Sequence, residues 1–249
     1  MDKSNTEHKT MVLTGASRGI GHATVKRFSA SGWRVITCSR QPFSKSCPWE
    51  AGEDDHIQVD LSDPGDTKRA ISEIKTRLAG GVLNALVNNA AISPKGNNGI
   101  RLDSLHTDTK LWHEVFQVNF YAPLILASGL VEDLKRGSGA IVNVTSIAGG
   151  RVHPFAGSAY ATSKAALGAL TREMASDFAP LGIRVNSIAP GEISTPILSG
   201  DSDEMKSSIP MGRFGEPDEV AAAIHFLCAE GSSYITEIQM LFNGDYIYS

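Results

Sequence analysis

The apolar positions of this chain fall into short β-rich runs separated by stretches of helical period. Thr10-Met-Val-Leu-Thr14 predicts the first strand, and a helix is expected from about Ile20 to Ala30, ended by Ser31-Gly32. Trp33 to Ser39 reads as the second strand, and the Pro- and Ser-containing run from Gln41 to Asp55 as a loop. Ile57 to Val59 predicts a short third strand. Ser62-Asp-Pro64 then opens a helix, with the proline at an early position where its missing N–H costs nothing. Ala85 to Val87 predicts the fourth strand, and Ser93 to Thr107 is a Gly/Asn-rich loop. A long helix is expected from about Asp108 to Val131, interrupted in character by Pro123. Ala140 to Val144 predicts the fifth strand, Ala159 to Phe178 a helix, and Ile183 to Ile188 the sixth strand, ending at Pro190-Gly191. Gly200 to Ser208 is polar and reads as mobile. Pro217 opens a helix to about Leu227, and Ile238 to Phe242 is the last strand.

Strands that alternate with helices imply a parallel sheet covered on both faces. The expected fold class is therefore α/β, a Rossmann-type doubly wound fold with a seven-stranded parallel sheet and helices on both faces. Residues 1–249 suit a single domain, with residues 1–9 as a polar tail. No internal repeat interrupts the pattern.

Composition narrows the function classes. Charged residues are 20% and hydrophobic residues 41%, an ordinary globular balance. A net charge of −4 and the lack of a Lys/Arg block give no reason to expect nucleic acid. No apolar run approaches the ~18 residues of a membrane span, and the polar start lacks the apolar stretch of a signal peptide. Cys38, Cys47 and Cys228 are odd in number and irregularly spaced, which fits reduced thiols in a cytoplasmic protein. The histidines form no HxxxH or HExxH pair, so no metal site is expected.

Three features carry chemistry. The first is Thr14-Gly-Ala-Ser-Arg-Gly-Ile-Gly21, directly after the first strand and opening the first helix. Its glycines, Gly15, Gly19 and Gly21, depart from the G-x-G-x-x-G spacing but share its physics. They allow a sharp turn and let backbone approach a pyrophosphate resting on the helix N-terminus. The second is the end of the second strand, Cys38-Ser39-Arg40. A site specific for NAD places a carboxylate there for the ribose 2′-hydroxyl. Here Arg40, with Arg18 from the glycine loop, offers planar forks that match a 2′-phosphate instead. NADP(H) is therefore expected in preference to NAD(H). The third is Tyr160-Ala-Thr-Ser-Lys164, preceded by Ser146 at the end of a strand. Tyr160 and Lys164 share a helix face. A phenol with a pKa near ~10 is a poor base at neutral pH. A neighbouring ammonium favours the phenolate and makes it a usable general acid or base.

Together these residues resemble the short-chain dehydrogenase/reductase family, in particular its 3-oxoacyl reductase-like members. The match comprises Thr14-Gly15-x-x-x-Gly19-x-Gly21, Asn88-Asn89-Ala90, Asn119, Ser146, Tyr160-x-x-x-Lys164 and Pro190-Gly-x-Ile-x-Thr195, in the family's order. The resemblance implies hydride exchange between a nicotinamide and a carbonyl or secondary alcohol. It implies a catalytic set of Asn119, Ser146, Tyr160 and Lys164. Ser146 would hold the reacting oxygen against Tyr160, and Asn119 would distort its helix so that a water reaches the lysine. The implied cofactor contacts are Gly15, Ser17, Arg18, Gly19, Ile20, Gly21, Ser39, Arg40, Asp60, Leu61, Asn89, Ala90, Tyr160, Lys164, Pro190, Gly191, Ile193 and Thr195. Asp60 would meet the adenine amino group, although it also reads as a helix cap.

The substrate wall is expected from Ser93–Thr107, Ala148–Ser158 and Pro196–Phe214, with residues 196–215 acting as a lid. Arg151 and His153 are weak candidates for substrate contact. The family usually forms dimers or tetramers, which implies a homo-oligomer here. Glu237 stands where a Gly is common. A non-catalytic NADP(H)-binding regulator on the same fold is the alternative, and an extended lyase or epimerase relative a third reading. The presence of both Tyr160 and Lys164 argues against the regulator.

Overall fold

The computed structural model describes residues 8–42, 53–195 and 203–244. Its centre is a seven-stranded parallel sheet of order β3-β2-β1-β4-β5-β6-β7. The strands are β1 Thr10–Thr14, β2 Arg34–Ser39, β3 His56–Gln58, β4 Ala85–Asn88, β5 Ala140–Val144, β6 Arg184–Pro190 and β7 Gln239–Phe242. All pairings are parallel, for example Val12 opposite Ile36 and Leu86, and Val142 opposite Asn186. The order reverses between β1 and β4. A crevice therefore opens at the C-terminal ends of these strands, the usual ligand position in such sheets.

Alternate residues of each strand feed two separate cores, which explains the unbroken apolar runs. Val12, Ile36, Leu86, Ile141 and Val185 pack on one side. There they meet α2 Pro64–Leu78, α4 Ala122–Gly129 and α6 Ser158–Phe178. Met11, Leu13, Val35, Val87, Val142 and Ile188 face the other side. That side is covered by α1 Gly19–Ala30 and α8 Pro217–Cys228. Cys38 and Cys228 are buried free thiols within these cores, whereas Cys47 lies outside the described residues.

Most expected elements are present within a residue or two, and β6 runs on to Pro190. Four details differ. The long helix is not broken by Pro123, which sits at the first turn of α4 where proline is tolerated. Its irregularity is one turn of π-helix at Gln117–Tyr121, between α3 Thr109–Phe116 and α4. The helix also stops at Gly129 rather than Val131, and a separate α5 follows at Val131–Arg136. Within the Ser93–Thr107 loop a short 3-10 turn forms at Asn97–Gly99. The polar run expected to be mobile holds α7 at Asp203–Ser207, with Met205 buried against Ile147, Ile209 and Phe214. The preceding residues 196–202 lie outside the described residues, as does part of the Gln41–Asp55 loop.

Glu237 adopts φ +71°, a left-handed conformation that favours glycine. The glycine common at this position in the family relieves a strain that this chain retains.

Candidate active site

The cleft at the strand-order reversal has a volume of about 640 Å³. It is lined by every cofactor-contact residue expected from the sequence, and by Ser146.

The glycine loop forms one wall. Gly15 has φ +73° and Gly19 φ +55°. A Cβ on Gly15 would lie 2.8 Å from Ala90 Cα, and one on Gly21 would lie 2.1 Å from the Gly15 carbonyl oxygen. Bare backbone is thus required for the loop to close over the helix N-terminus. Asn89 holds it there, donating from Nδ2 to the carbonyls of Thr14 and Gly15, both at 3.0 Å. The Thr14 hydroxyl accepts from the N–H groups of Asn89 and Ala90 at 3.1 and 3.0 Å. The loop ends in a helix that carries no acidic residue in its first turn, so nothing competes with an anion there.

The adenine end follows β2 and β3. Ser39, Arg40 and Asp60 line it, and the exposed Arg18 lines the same cleft. Asp60 also caps locally, because its Oδ1 accepts from the Ser62 N–H and hydroxyl at 2.9 and 2.8 Å. The N-cap of α2 is Asp63, which accepts from the Gly65 N–H at 2.7 Å. These residues fit a dinucleotide with its pyrophosphate on the glycine loop.

The reactive end lies beyond β5. Ser146 caps the short turn Ile147–Gly149, accepting from the Ala148 N–H at 3.2 Å. That turn rests directly on α6. A Cβ on Gly149 would sit 2.8 Å from Ala165 N, so glycine sets the separation between Ser146 and Tyr160. Lys164 is buried and its Nζ donates to the Val144 carbonyl at 2.6 Å. The same Nζ lies 5.9 Å from the centroid of the Tyr160 ring.

Burial acts against charge on both groups. It pushes the Lys164 ammonium down to about 7. It raises the Tyr160 phenol above its ordinary value, against a lowering hydrogen bond from Ser146, and the Glu192 carboxylate raises it further. In the cofactor-free chain desolvation is thus the largest effect on the phenol, against the attraction expected from the neighbouring ammonium.

Lys164 also makes stability depend on pH. An unfolded lysine holds its proton to about 10.5, and the folded one releases it near about 7. Between these values the unfolded chain binds more protons, so stability rises with pH. The buried thiols of Cys38 and Cys228, raised from 9.0 to about 12, oppose this only above their ordinary value. From pH 7 to 9 the Tm of the cofactor-free chain is expected to climb more steeply than that of Lys164→Met. Equal slopes would refute the assignment.

Asn119 does not line the cleft. It is fully buried in the π turn. Its Oδ1 accepts from the Ile92 N–H at 2.9 Å, and its Nδ2 donates to the Ile92 carbonyl and to Ser163 Oγ, both at 3.0 Å. Ser163 in turn donates to the Tyr160 carbonyl at 2.7 Å. Asn119 thus ties the segment after β4 to the helix that carries Tyr160 and Lys164.

Sequence reasoning missed Glu192, which follows the recognised Pro190-Gly191. It lines the cleft with its side chain 9% exposed, and its Oε1 is 2.9 Å from His153 Nε2. His153 is buried rather than solvated, whereas Arg151 is exposed. Lys95 and Phe155 complete this part of the wall. The available signal was a carboxylate next to a family turn, which spacing alone does not distinguish from a surface residue. Among the described residues no cluster of three or more His, Cys, Asp or Glu could hold a metal, and no helix is long and apolar enough to cross a membrane.

A dinucleotide cleft at the switch point of a parallel sheet, with a hydroxyl, a phenol and an amine converging at one end, defines the class of nicotinamide-dependent oxidoreductases. Comparison with known proteins agrees. A family model described as Enoyl-(Acyl carrier protein) reductase matches residues 15–244. The chain is 61% identical to Protein FixR of Bradyrhizobium diazoefficiens over 96% of this chain and 86% of that protein. It is 34% identical to the 3-oxoacyl-(acyl-carrier-protein) reductase FabG of Aquifex aeolicus, over 95% of this chain and 96% of the relative. A short-chain dehydrogenase/reductase family oxidoreductase from Brucella ovis, solved with a partially ordered NAD, superimposes with a TM-score of 0.83 at 59% identity. That alignment covers 95% of this chain and 100% of the other. The chain belongs to the short-chain dehydrogenase/reductase family, and is an NAD(P)-dependent oxidoreductase acting on CH–OH and C=O groups.

Proposed function

We propose that this protein is an NADP(H)-dependent reductase of small carbonyl compounds, reversible as a secondary-alcohol dehydrogenase, with Tyr160 as general acid and base. The observation that carries this reading is the convergence of Ser146, Tyr160 and Lys164 at the reactive end of the cleft. The nicotinamide, when bound, supplies the hydride acceptor or donor. Ser146 positions the substrate oxygen, and Tyr160 exchanges its proton with that oxygen. Lys164 restores the proton to the phenol and holds the nicotinamide ribose. Asn119 supports the proton path by holding the π turn against Ile92 and Ser163. Gly15, Ser17, Gly19, Ile20 and Gly21 would cradle the pyrophosphate. Asp60 and Leu61 would border the adenine, Asn89 and Ala90 the adjoining ribose, and Pro190, Gly191, Ile193 and Thr195 the carboxamide. Transfer of deuterium from labelled NADPH to a member of a carbonyl panel is the direct test, and no transfer to any member would refute the reading.

The preference for NADP(H) rests on Arg18 and Arg40, both exposed at the cleft rim, and on the lack of a carboxylate at the end of β2. Turnover efficiency is expected to be at least about tenfold higher with NADPH than with NADH, the scale of a charge-assisted contact. Arg40→Asp is expected to reverse the order. A wild-type preference for NADH would overturn the assignment.

Residues 196–215 serve as the lid in this reading. Its later part already packs on the site, because Ile209 and Phe214 share an apolar cluster with Ile147. A homo-oligomer, dimer or tetramer, is supported by Leu241, which stands 58% exposed on the edge strand β7. The buried free thiols of Cys38 and Cys228 support a cytoplasmic setting.

A further inference from the structure

Three polar side chains cross from the sheet to α6 in one hydrogen-bonded row. Asn88 of β4 and Asn143 of β5 stand directly opposite each other, and Asn88 Nδ2 donates to Asn143 Oδ1 at 2.9 Å. Asn143 Nδ2 donates to Thr171 Oγ1 of α6 at 2.9 Å. The Thr171 hydroxyl passes its single proton to the Leu167 carbonyl at 2.8 Å, so its oxygen is left to accept from Asn143 and the orientation of that amide is fixed. Asn143 is fully buried and Thr171 is 1% exposed. They sit on the face of the sheet whose core is built from apolar residues, among them Ile141, Val185, Met174 and Ala175.

The row runs beside the contact that anchors Lys164. Asn143 directly precedes Val144, whose carbonyl accepts from Lys164 Nζ at 2.6 Å. Thr171 follows Lys164 by two helical turns on α6 and so lies on the same face. Apolar packing is non-directional, so it holds helix against sheet without fixing how far one slides along the other. A hydrogen bond tolerates a change of only a few tenths of an ångström. The bonds Asn143–Thr171 and Lys164–Val144 are therefore two directional ties between one strand and one helix. Without the first, the register falls to the second, whose lysine is pushed by burial toward its neutral form.

From this geometry we infer that Asn143 and Thr171 are positioning residues, which hold α6 in the register at which Lys164 Nζ meets the Val144 carbonyl and Tyr160 stays beside Ser146. Neither lines the cleft, so they act only through the helix that carries both reactive side chains. A carbonyl acceptor favours the ammonium, and lengthening that bond lowers the lysine's proton affinity further. The other titratable groups facing this part of the cleft are Tyr160 on the same helix, Glu114 on α3, and Lys95, His153 and Glu192 from the loops after β4, β5 and β6. Substitution at Thr171 leaves all of them in place, so a changed titration reports on the lysine's own contact. The catalytic consequence rests on the alcohol–carbonyl reading above, whereas the placement of Lys164 does not.

Thr171→Val keeps the branched shape and removes the hydroxyl, and Thr171→Ser puts the hydroxyl back. An unfolded lysine holds its proton to about 10.5 and the folded one to about 7, so stability rises with pH above the folded value. A folded value lowered further makes that rise begin at lower pH. Between pH 6 and 7 the Tm of cofactor-free Thr171→Val is therefore expected to climb about twice as steeply as that of the wild type, with Thr171→Ser following the wild type. With NADPH and the best substrate of the carbonyl panel, kcat of Thr171→Val is expected to fall at least about tenfold, since a misplacement of about 1 Å costs about 100-fold. The KM for NADPH should stay within about twofold, because the glycine loop is untouched, and Thr171→Ser should recover most of the rate. Thr171→Ala, a strong helix former, is read in the same way should the valine variant not fold. A Tm lowered equally at every pH, an unchanged kcat, or a serine variant that rescues neither readout would reduce the row to a structural brace and overturn the inference. If the wild type turns over no alcohol or ketone, the reaction reading falls and the Tm slopes alone decide the placement of Lys164: a steeper slope supports it and an unchanged slope overturns it.

Discussion

Tyr160→Phe is expected to bind cofactor with unchanged affinity and to lose turnover by about 10²- to 10⁴-fold, the usual contribution of a positioned acid or base. The argument is local. Phenylalanine preserves the ring packed beside Lys164 and removes only the oxygen that exchanges a proton. Tyr160 is half-buried and lines the cleft, where desolvation raises its phenol. Among the described residues no other phenol lines the cleft to replace it. Cofactor affinity is set at the glycine loop and the β2 end, which the substitution does not touch. The measurement is a pair of experiments on one sample, fluorescence titration with NADPH and initial rates on the best alcohol. Turnover within about tenfold of the wild type would remove Tyr160 from its proposed role.

Gly21→Ala is expected to have the second large effect, loss of cofactor binding by at least about tenfold together with lower stability. The added methyl would sit 2.1 Å from the Gly15 carbonyl oxygen and 2.7 Å from Asn89 Nδ2. Both are parts of the clamp that closes the loop, and the first is backbone. Overpacking of this kind costs about 1–3 kcal/mol, and relief requires the loop to move off the helix N-terminus where phosphate would rest. Gly168→Ala is the control. Its Cβ would meet only Gln239 Nε2 at 3.5 Å, and the site lies inside α6. There alanine should stabilise by about 0.5–1 kcal/mol through helix preference. Equal behaviour of the two substitutions in thermal unfolding and NADPH titration would contradict the steric account.

The comparison of pattern with structure is instructive at particular residues. Strands β1 and β5 were legible to the residue, because a strand buried on both faces must be an unbroken apolar run bounded by polar turns. The glycine loop was legible because only glycine fits its contacts. Asn119 was readable as a misfit inside a helix, but its burial and its bonds to Ile92 and Ser163 arise between segments distant in sequence. The π turn had no local signature beyond that misfit, and Pro123 drew attention to the wrong place. The titration of Tyr160 and Lys164 also differed from the pairwise expectation. Spacing brings the two groups together, while desolvation depends on everything packed around them.

Periodicity and residue type were enough for the doubly wound architecture and for the glycine turn after β1, because each depends on neighbours a few positions apart or on a residue that tolerates no substitute. Burial of His153 against Glu192, and the polar wall they share with Lys95, came from folding alone. Those side chains are contributed by loops after β4, β5 and β6, and no spacing in the chain encodes a contact that exists only when separate strands end at the same crevice.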